Sequence, residues 1–283
     1  MDNFERLIGP QPPKQFLTRS RARLDALWKS RTTQQIARYK EQRSLSDASF
    51  GVIRRLAGKD PKLAAATERI RAQAAAYAKK KPNLPDRPPK VPSRVRLGSI
   101  SATFAPPFWG TWKSLSSQGD GWLGNGGLVN GNTGSIGLSV NAGFNNGGSA
   151  SEAAALGGYF QPPAANGILD IFANPSMGYD FQTWYFLDSA NAGGFIGLYV
   201  GEYTLRGQFQ AALVDQQINI SSLGGSSSEP LAASIWVDSD HFYEIWVWAG
   251  INVEAAGYGS PFWGSSASAV LNVYVPAISI FYF

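Results

Sequence analysis

The stretch "HFYEIWVWAGINV", residues 241–253, limits the fold more than any other part of the chain. Tyr243, Ile245, Val247, Ala249, Ile251 and Val253 fall on one face of a strand, and Phe242, Trp246 and Trp248 on the other. A strand that is apolar on both faces belongs inside a molecule, with a sheet against one side and a further layer or partner over the other. The remaining sequence has to supply two coverings.

One covering is legible at once, because period two continues through the chain after Ser93. In "GSIGLSVNAGF" it places Ile136, Leu138, Val140, Ala142 and Phe144 on one face, and in "MGYDFQTWYFLD" it places Tyr179, Phe181, Thr183, Tyr185 and Leu187. Further candidates are "RVRLGSISATF", "ALGGYF", "GILDIFA", "GGFIGLYVGEY", "QFQAALVDQQINI", "LAASIWV" and "AVLNVYVPAISIFYF". Turn clusters such as "NGGLVNGNTG", "NNGGSAS" and "SSLGGSSSEP" separate them. About ten strands with no helical pattern between them predict a mainly β fold, an antiparallel, jelly-roll-like β-sandwich as the C-terminal domain; a closed barrel is the alternative. The apolar last strand, which runs to Phe283, should be paired or covered.

Charge divides the chain sharply. Residues 1–96 hold 23 Lys and Arg against 8 Asp and Glu, a balance of +15, whereas residues 97–283 hold 2 against 12, a balance of −10. The expected organisation is a basic α-helical N-terminal arm (1–80), a Pro-rich linker (81–93) and the β-sandwich domain (94–283). Within the arm, residues 15–40 offer Leu17, Leu24, Leu27 and Trp28 to one helical stripe. A short second helix is expected in "SLSDASFGVIRRLAG", capped at Ser44, Ser46 or Asp47 and ended by Gly58. A third begins with Asp60 as cap and Pro61 in the first position, with Leu63, Ala66, Ile70, Ala74 and Tyr77 as its seam. Five prolines between Lys81 and Ser93 make a stiff spacer. Arg19, Arg21, Arg23, Lys29, Arg31, Arg54 and Arg55 are the candidate cations for docking an anionic partner. That partner is an acidic protein surface, including the chain's own body or a second copy's. Nucleic acid ranks lower, since the arm has no zinc-finger spacing, no RNP-like motif and no dense arginine run.

Composition removes most catalytic chemistry. With no cysteine there are no disulfides, thiolate metal sites or cysteine nucleophiles. The single histidine, His241, cannot build a His-rich zinc site, and as a triad base it has no orienting partner visible in the sequence. Asp238 and Asp240 carry a fragment of a calcium loop without its Gly and Glu, so no metal is expected and these two are the only candidates for one. Asp180, Glu202, Glu244 and Glu254 stand isolated, and no pair of carboxylates is marked for glycoside hydrolysis. "LGNGGLVNGNTGSIG" lacks the Gly-Lys-Ser/Thr ending of a phosphate loop and leads into a strand. The expectation is a protein that is not an enzyme and carries no cofactor. The first residues lack the basic and apolar regions of a secretory signal, and no apolar run approaches the roughly 20 residues of a membrane span. Synthesis in the cytoplasm is expected, and a place in a larger particle is compatible with it.

Aromatic residues are the remaining signal. Trp184, Trp236 and Trp246 lie in strands and are expected in the core. Trp109, Trp112, Trp122 and Trp263 stand beside proline and glycine in turns and, with Phe108 and Phe262, are the candidate ligand-binding residues. The tetrapeptide Pro-Phe-Trp-Gly occurs twice, at 107–110 and 261–264. It reads as two ends of a core clasp, or as one aromatic site if the strands carrying Phe104 and Ala269 are neighbours. These features predict a non-enzymatic structural or interaction protein, a homo-oligomer or part of a larger assembly, whose arm docks while the sandwich self-associates or recognises a target. The alternatives are a lectin-like module that binds glycans through loop tryptophans, a viral-type coat protein, and a membrane-active β-sandwich toxin. The last rests on the small-residue alternation of 135–144 and 194–203.

Overall fold

A computed structural model describes residues 14–57, 59–78, 100–119, 121–123, 127–143, 147–162, 166–186, 190–220, 224–256 and 264–283. Two helices, α1 (Lys14–Ala57) and α2 (Pro61–Ala78), precede the strands. The first strands are β1 (Ile100–Phe104), β2 (Gly110–Gly119), β3 (Gly121–Leu123), β4 (Leu128–Asn130) and β5 (Ser135–Ala142). There follow β6 (Gly148–Phe160), β7 (Gly167–Ala173), β8 (Ser176–Phe186), β9 (Ala190–Thr204) and β10 (Phe209–Ile220). The last are β11 (Gly224–Ser228), β12 (Leu231–Val237), β13 (His241–Ala255), β14 (Gly264–Tyr274) and β15 (Ile278–Tyr282).

The strands form an antiparallel, jelly-roll-like sandwich of open sheets. One layer is the five-stranded sheet β10-β9-β13-β6-β2. Facing it are the sheet β11-β8-β14-β5-β3, with β4 also paired to β5, and the four-stranded sheet β1-β15-β7-β12. Ile245, Val247, Ala249 and Ile251 of β13 pack between the layers with Ile196, Leu198 and Val200 of β9 and Ile136, Leu138 and Val140 of β5. All of these are fully buried, so this is the main core.

The second covering of β13 is the chain's own arm. Phe16, Ser20, Leu24, Trp28 and Thr32 recur every four residues along α1 and are 0 to 6 % exposed, the stripe by which a helix lies on a sheet. Leu24 and Trp28 close over Trp246 and Trp248 of β13, Phe195 and Tyr199 of β9, Ala153 and Ala155 of β6, and Trp112 of β2. Phe16 closes over Tyr159, Tyr203 and Phe242. Bulky rings on this face need flat ground beside them, and glycines on neighbouring strands provide it. A Cβ on Gly110 would stand 2.4 Å from the Trp246 ring, and one on Gly250 would stand 2.4 Å from Phe195.

Three expectations change. Residues 15–57 form one helix with no break at Ser44, Ser46 or Asp47, because no proline interrupts α1 and potential capping residues do not by themselves end a helix. Strands β2, β3, β4 and β11 replace expected loops, and β6 begins at Gly148, well before "ALGGYF". Their Gly, Ser and Ala residues read as turn, yet β6 is buried along its whole length, where a strand covered on both faces has room for small side chains. The closing segment is two strands, β14 and β15, and these lie in different sheets.

Other features match. Asp60 caps α2, its Oδ1 accepting the Lys62 N–H at 2.8 Å. The last strand is paired on both sides, and Phe283 exchanges backbone hydrogen bonds with Ile168 at 3.0 and 3.2 Å. The linker at 81–93, and Gly58, lie outside the described residues. Helix α2 passes against β8 and β14.

Among the described side chains of α1, Leu24 is buried on the sheet and Leu45 is exposed. Leu24→Ala should lower the stability of the chain by about 2–5 kcal/mol, while Leu45→Ala, at a position 62 % exposed, should stay within about 0.5 kcal/mol. Urea unfolding of the two variants tests the difference.

Candidate functional site

Three of the seven candidate cations, Arg19, Arg23 and Arg31, contact the body beneath them. The Arg31 guanidinium donates to both oxygens of Asp215 on β10, at 2.7 and 3.0 Å, and lies 4.2 Å from the Trp248 ring centre. Arg23 lies 4.3 Å over the Phe209 ring, and Arg19 donates to the Gly207 carbonyl at 2.7 Å. Arg21 and Lys29 face solvent. The side chains of Arg54 and Arg55 lie outside the described residues.

Three carboxylates of the five-stranded sheet are buried, Glu152, Glu244 and Glu254, and the first two lie on opposite faces. Glu244 faces α1 and accepts from the Tyr203 hydroxyl at 2.8 Å and the Trp246 indole N–H at 3.2 Å. Burial pushes its carboxyl above the usual range, against the pull of Ser20, Trp246, Tyr203 and Arg23. Glu152 faces the inter-sheet core and accepts the Ser139 N–H at 2.8 Å. Burial pushes it up to about 7, with the Ser139 and Gly127 backbone and the Lys113 charge pulling down. Since a sheet separates them, Glu152 and Glu244 cannot flank one glycosidic bond. Glu152 did not stand out in the sequence because it sits in the Ala-Ser run of β6.

Trp112 and Trp236 exchange places relative to expectation, while Trp246 lies in the core as expected and Trp184 is half-buried. Trp112 is buried, and its indole N–H donates to Asp25 of α1 at 2.9 Å. Phe108 is buried in the inter-sheet core. Trp109 is half-buried, edge-on to Tyr159 at 4.8 Å. The first Pro-Phe-Trp-Gly is therefore a clasp under the helix, and neither Phe108 nor Trp112 offers a face to solvent. The Trp122 side chain, Phe262 and Trp263 lie outside the described residues. Strands β1 and β14, which carry Phe104 and Ala269, belong to different sheets.

Trp236, expected in the core, is 64 % exposed. It stands on the outer face of the four-stranded sheet, where strict alternation also exposes Ile168 (42 %) and Phe172 (51 %). Register sets the pattern: Trp236 lies opposite Ile168, Ser234 opposite Asp170, and Ala232 opposite Phe172. On the other side of β7, Phe281 lies opposite Asp170 and Ser279 opposite Phe172. Directly opposed residues point the same way, so this face interleaves large apolar groups with a carboxylate and two serines.

At one end of that sheet is the turn that enters β13. Asp238 and Asp240, the metal candidates, flank His241 with carboxylate oxygens 3.9 and 3.0 Å from its Nδ1. The structure adds Glu202 of β9, 3.9 Å from the same nitrogen. No local spacing could reveal Glu202, which the register between β9 and β13 brings in. A cleft of about 210 Å³ opens where Phe16 and Arg19 meet Leu205, Gly207 and Phe242, smaller than the roughly 300–1,000 Å³ of small-molecule sites.

The raised Glu152 carboxyl makes stability depend on pH. Its folded value, about 7, lies above its ordinary 4.5, so its contribution is complete below about pH 4.5 and is lost as the pH rises to about 7. That is on the order of 3 kcal/mol. Glu152→Gln should flatten the decline in urea stability between pH 4.5 and 7 by that amount; an unchanged decline would place the proton elsewhere.

No family model and no curated protein sequence matches this chain. Among solved structures, the chain is similar to TmCBM61, solved in complex with beta-1,4-galactotriose, at 11% identity over 58% of this chain and 86% of that one, with a TM-score of 0.19. It is similar to the family 11 carbohydrate-binding module of the cellulase Lic26A-Cel5E of Clostridium thermocellum at 13% identity over 64% and 96% of the two chains, TM-score 0.15. It is similar to infectious bursal disease virus, Gt strain, at 11% identity over 69% and 46%, TM-score 0.21. Carbohydrate-binding modules and a virus particle thus stand side by side among its neighbours, at scores that select neither.

Proposed function

We propose that this chain is a non-enzymatic interaction protein whose sandwich recognises a glycan on the outer face of the sheet β1-β15-β7-β12. The observation that carries the reading is the exposure of Trp236 and Phe172 on a face that also presents Asp170, Ser234 and Ser279. Rings supply flat contact area at low entropy cost, and the carboxylate and hydroxyls supply the directional hydrogen bonds that sugar hydroxyls require. The polar composition favours a sugar over a protein, since the centres of protein interfaces are depleted in Asp, Ser and Ala. The candidate residues thereby move from the turn tryptophans to Trp236, Phe172 and Asp170.

Affinity electrophoresis through gels containing soluble β-glucan, galactan or mannan tests the proposal. At least one polysaccharide should retard the full chain, and Trp236→Ala or Phe172→Ala should weaken that retardation about tenfold or more, at least about 1.4 kcal/mol. Equal retardation of both variants and the parent chain, or retardation by no polysaccharide, overturns it.

The assembly reading keeps one observation of its own. Beyond the buried stripe, α1 continues to Ala57, with Arg38, Lys40 and Leu45 exposed. Exposed basic residues on a helix suit docking to an acidic surface. Sedimentation of the full chain at low and high salt tests this: a larger species at low salt that dissociates as salt rises supports it, and a monomer at both removes it.

A further inference from the structure

We propose that Glu202, Asp238 and His241 form a binding site for a first-row divalent transition metal, with Zn²⁺ as the probe. The proposal is independent of the glycan reading.

The chain has one histidine and no cysteine, and the fold places that histidine among carboxylates contributed by two separate parts of the sequence. One ligand atom from each of Glu202, Asp238 and His241 lies within 4.8 Å of the others. Two carboxylate oxygens, one on Glu202 and one on Asp238, stand 3.9 Å from the imidazole Nδ1. Ligand atoms at about 2.1 Å from a tetrahedral zinc are roughly 3.4 Å apart, so small side-chain rotations close the site. The Nδ1 atom is shielded from solvent and makes no hydrogen bond. Asp240 Oδ1, 3.0 Å away, makes only an ion-pair contact and belongs to a carboxylate 76 % exposed. A shielded, unbonded imidazole nitrogen facing two carboxylates is a donor set short of its acceptor.

The surroundings hold the ligands in place. The Tyr243 hydroxyl donates to Glu202 Oε1 at 3.0 Å and accepts the Asp238 N–H at 2.7 Å, so one side chain ties both carboxylate-bearing segments together. Hydrogen bonds of this kind orient metal ligands. The Ser239 N–H donates to Asn166 at 3.3 Å, fixing the turn against the start of β7. The one nitrogen decides the class of metal: imidazole suits zinc and its first-row neighbours, whereas magnesium and calcium take oxygen alone. Three protein ligands leave a coordination position open.

Calorimetry tests for the bound metal. The full chain, stripped with chelator and dialysed at pH 7, is titrated with Zn²⁺ and separately with Ca²⁺. The expected result is one saturable Zn²⁺ site and a higher melting temperature with Zn²⁺. Binding should be lost in His241→Ala and in His241→Gln, provided each variant keeps the far-UV circular dichroism of the parent. Tyr243→Phe should retain the site with affinity reduced about 10–100-fold. No saturable Zn²⁺ binding, binding that survives both histidine variants, or a site that takes Ca²⁺ in preference to Zn²⁺ overturns the proposal.

Discussion

The structure depends on the burial of one aromatic layer. Trp246, Trp248, Phe195, Tyr199 and Tyr203 rise from the back of the central strands β9 and β13, and among the described residues their cover comes from α1. A sheet with this much apolar area exposed would associate with other chains. Helix α1 prevents this by placing Phe16, Leu24 and Trp28 over the rings. Its other contacts follow: the Arg31 pair with Asp215, the Asp25 carboxylate on the Trp112 indole, and Arg23 over Phe209 all lie along the same stripe. Of the arm's cations, Arg31 is thus paired with a carboxylate of the body.

How far the sequence led can be followed through particular residues. The strand at 241–253 announced two coverings because both of its faces are apolar, and the identity of the second was not legible because the helix that supplies it lies more than 200 residues earlier. For β12 the opposite held. Trp236 read as core because tryptophan in a strand is usually buried, but alternation along "LAASIWV" gives one face to Leu231 and Val237 and the other to Trp236, and only the sheet's position in the sandwich decides which face is inside. Trp112 read as a surface residue because it stands beside Gly110, yet that glycine is the ground on which Trp246 rests. Glycine next to an aromatic signals a loop in one setting and a seat for a ring in another, and local sequence does not distinguish them.

The charged groups show a similar limit. Asp238, Asp240 and His241 are neighbours in sequence and were visible as a group. Glu202 joins them through the pairing of β9 with β13. Glu244 stood in the sequence as an isolated acid and Glu152 did not stand out, and parity along β6 and β13 sends the two to opposite sides of one sheet. Ionisable residues acquire their chemistry here from register.

The cover made by α1 also has a consequence in time. Trp28 and its neighbour Trp248 are separated by 220 positions, so the helix leaves the ribosome long before the strand it rests on exists. At about 5–20 residues per second that interval is roughly 10–45 s. During it the apolar stripe of α1 has no native partner, and when β9 and β13 do appear their rings are uncovered until the helix closes. A topology in which an early helix covers strands made much later rests on contacts of long sequence separation, which slow folding.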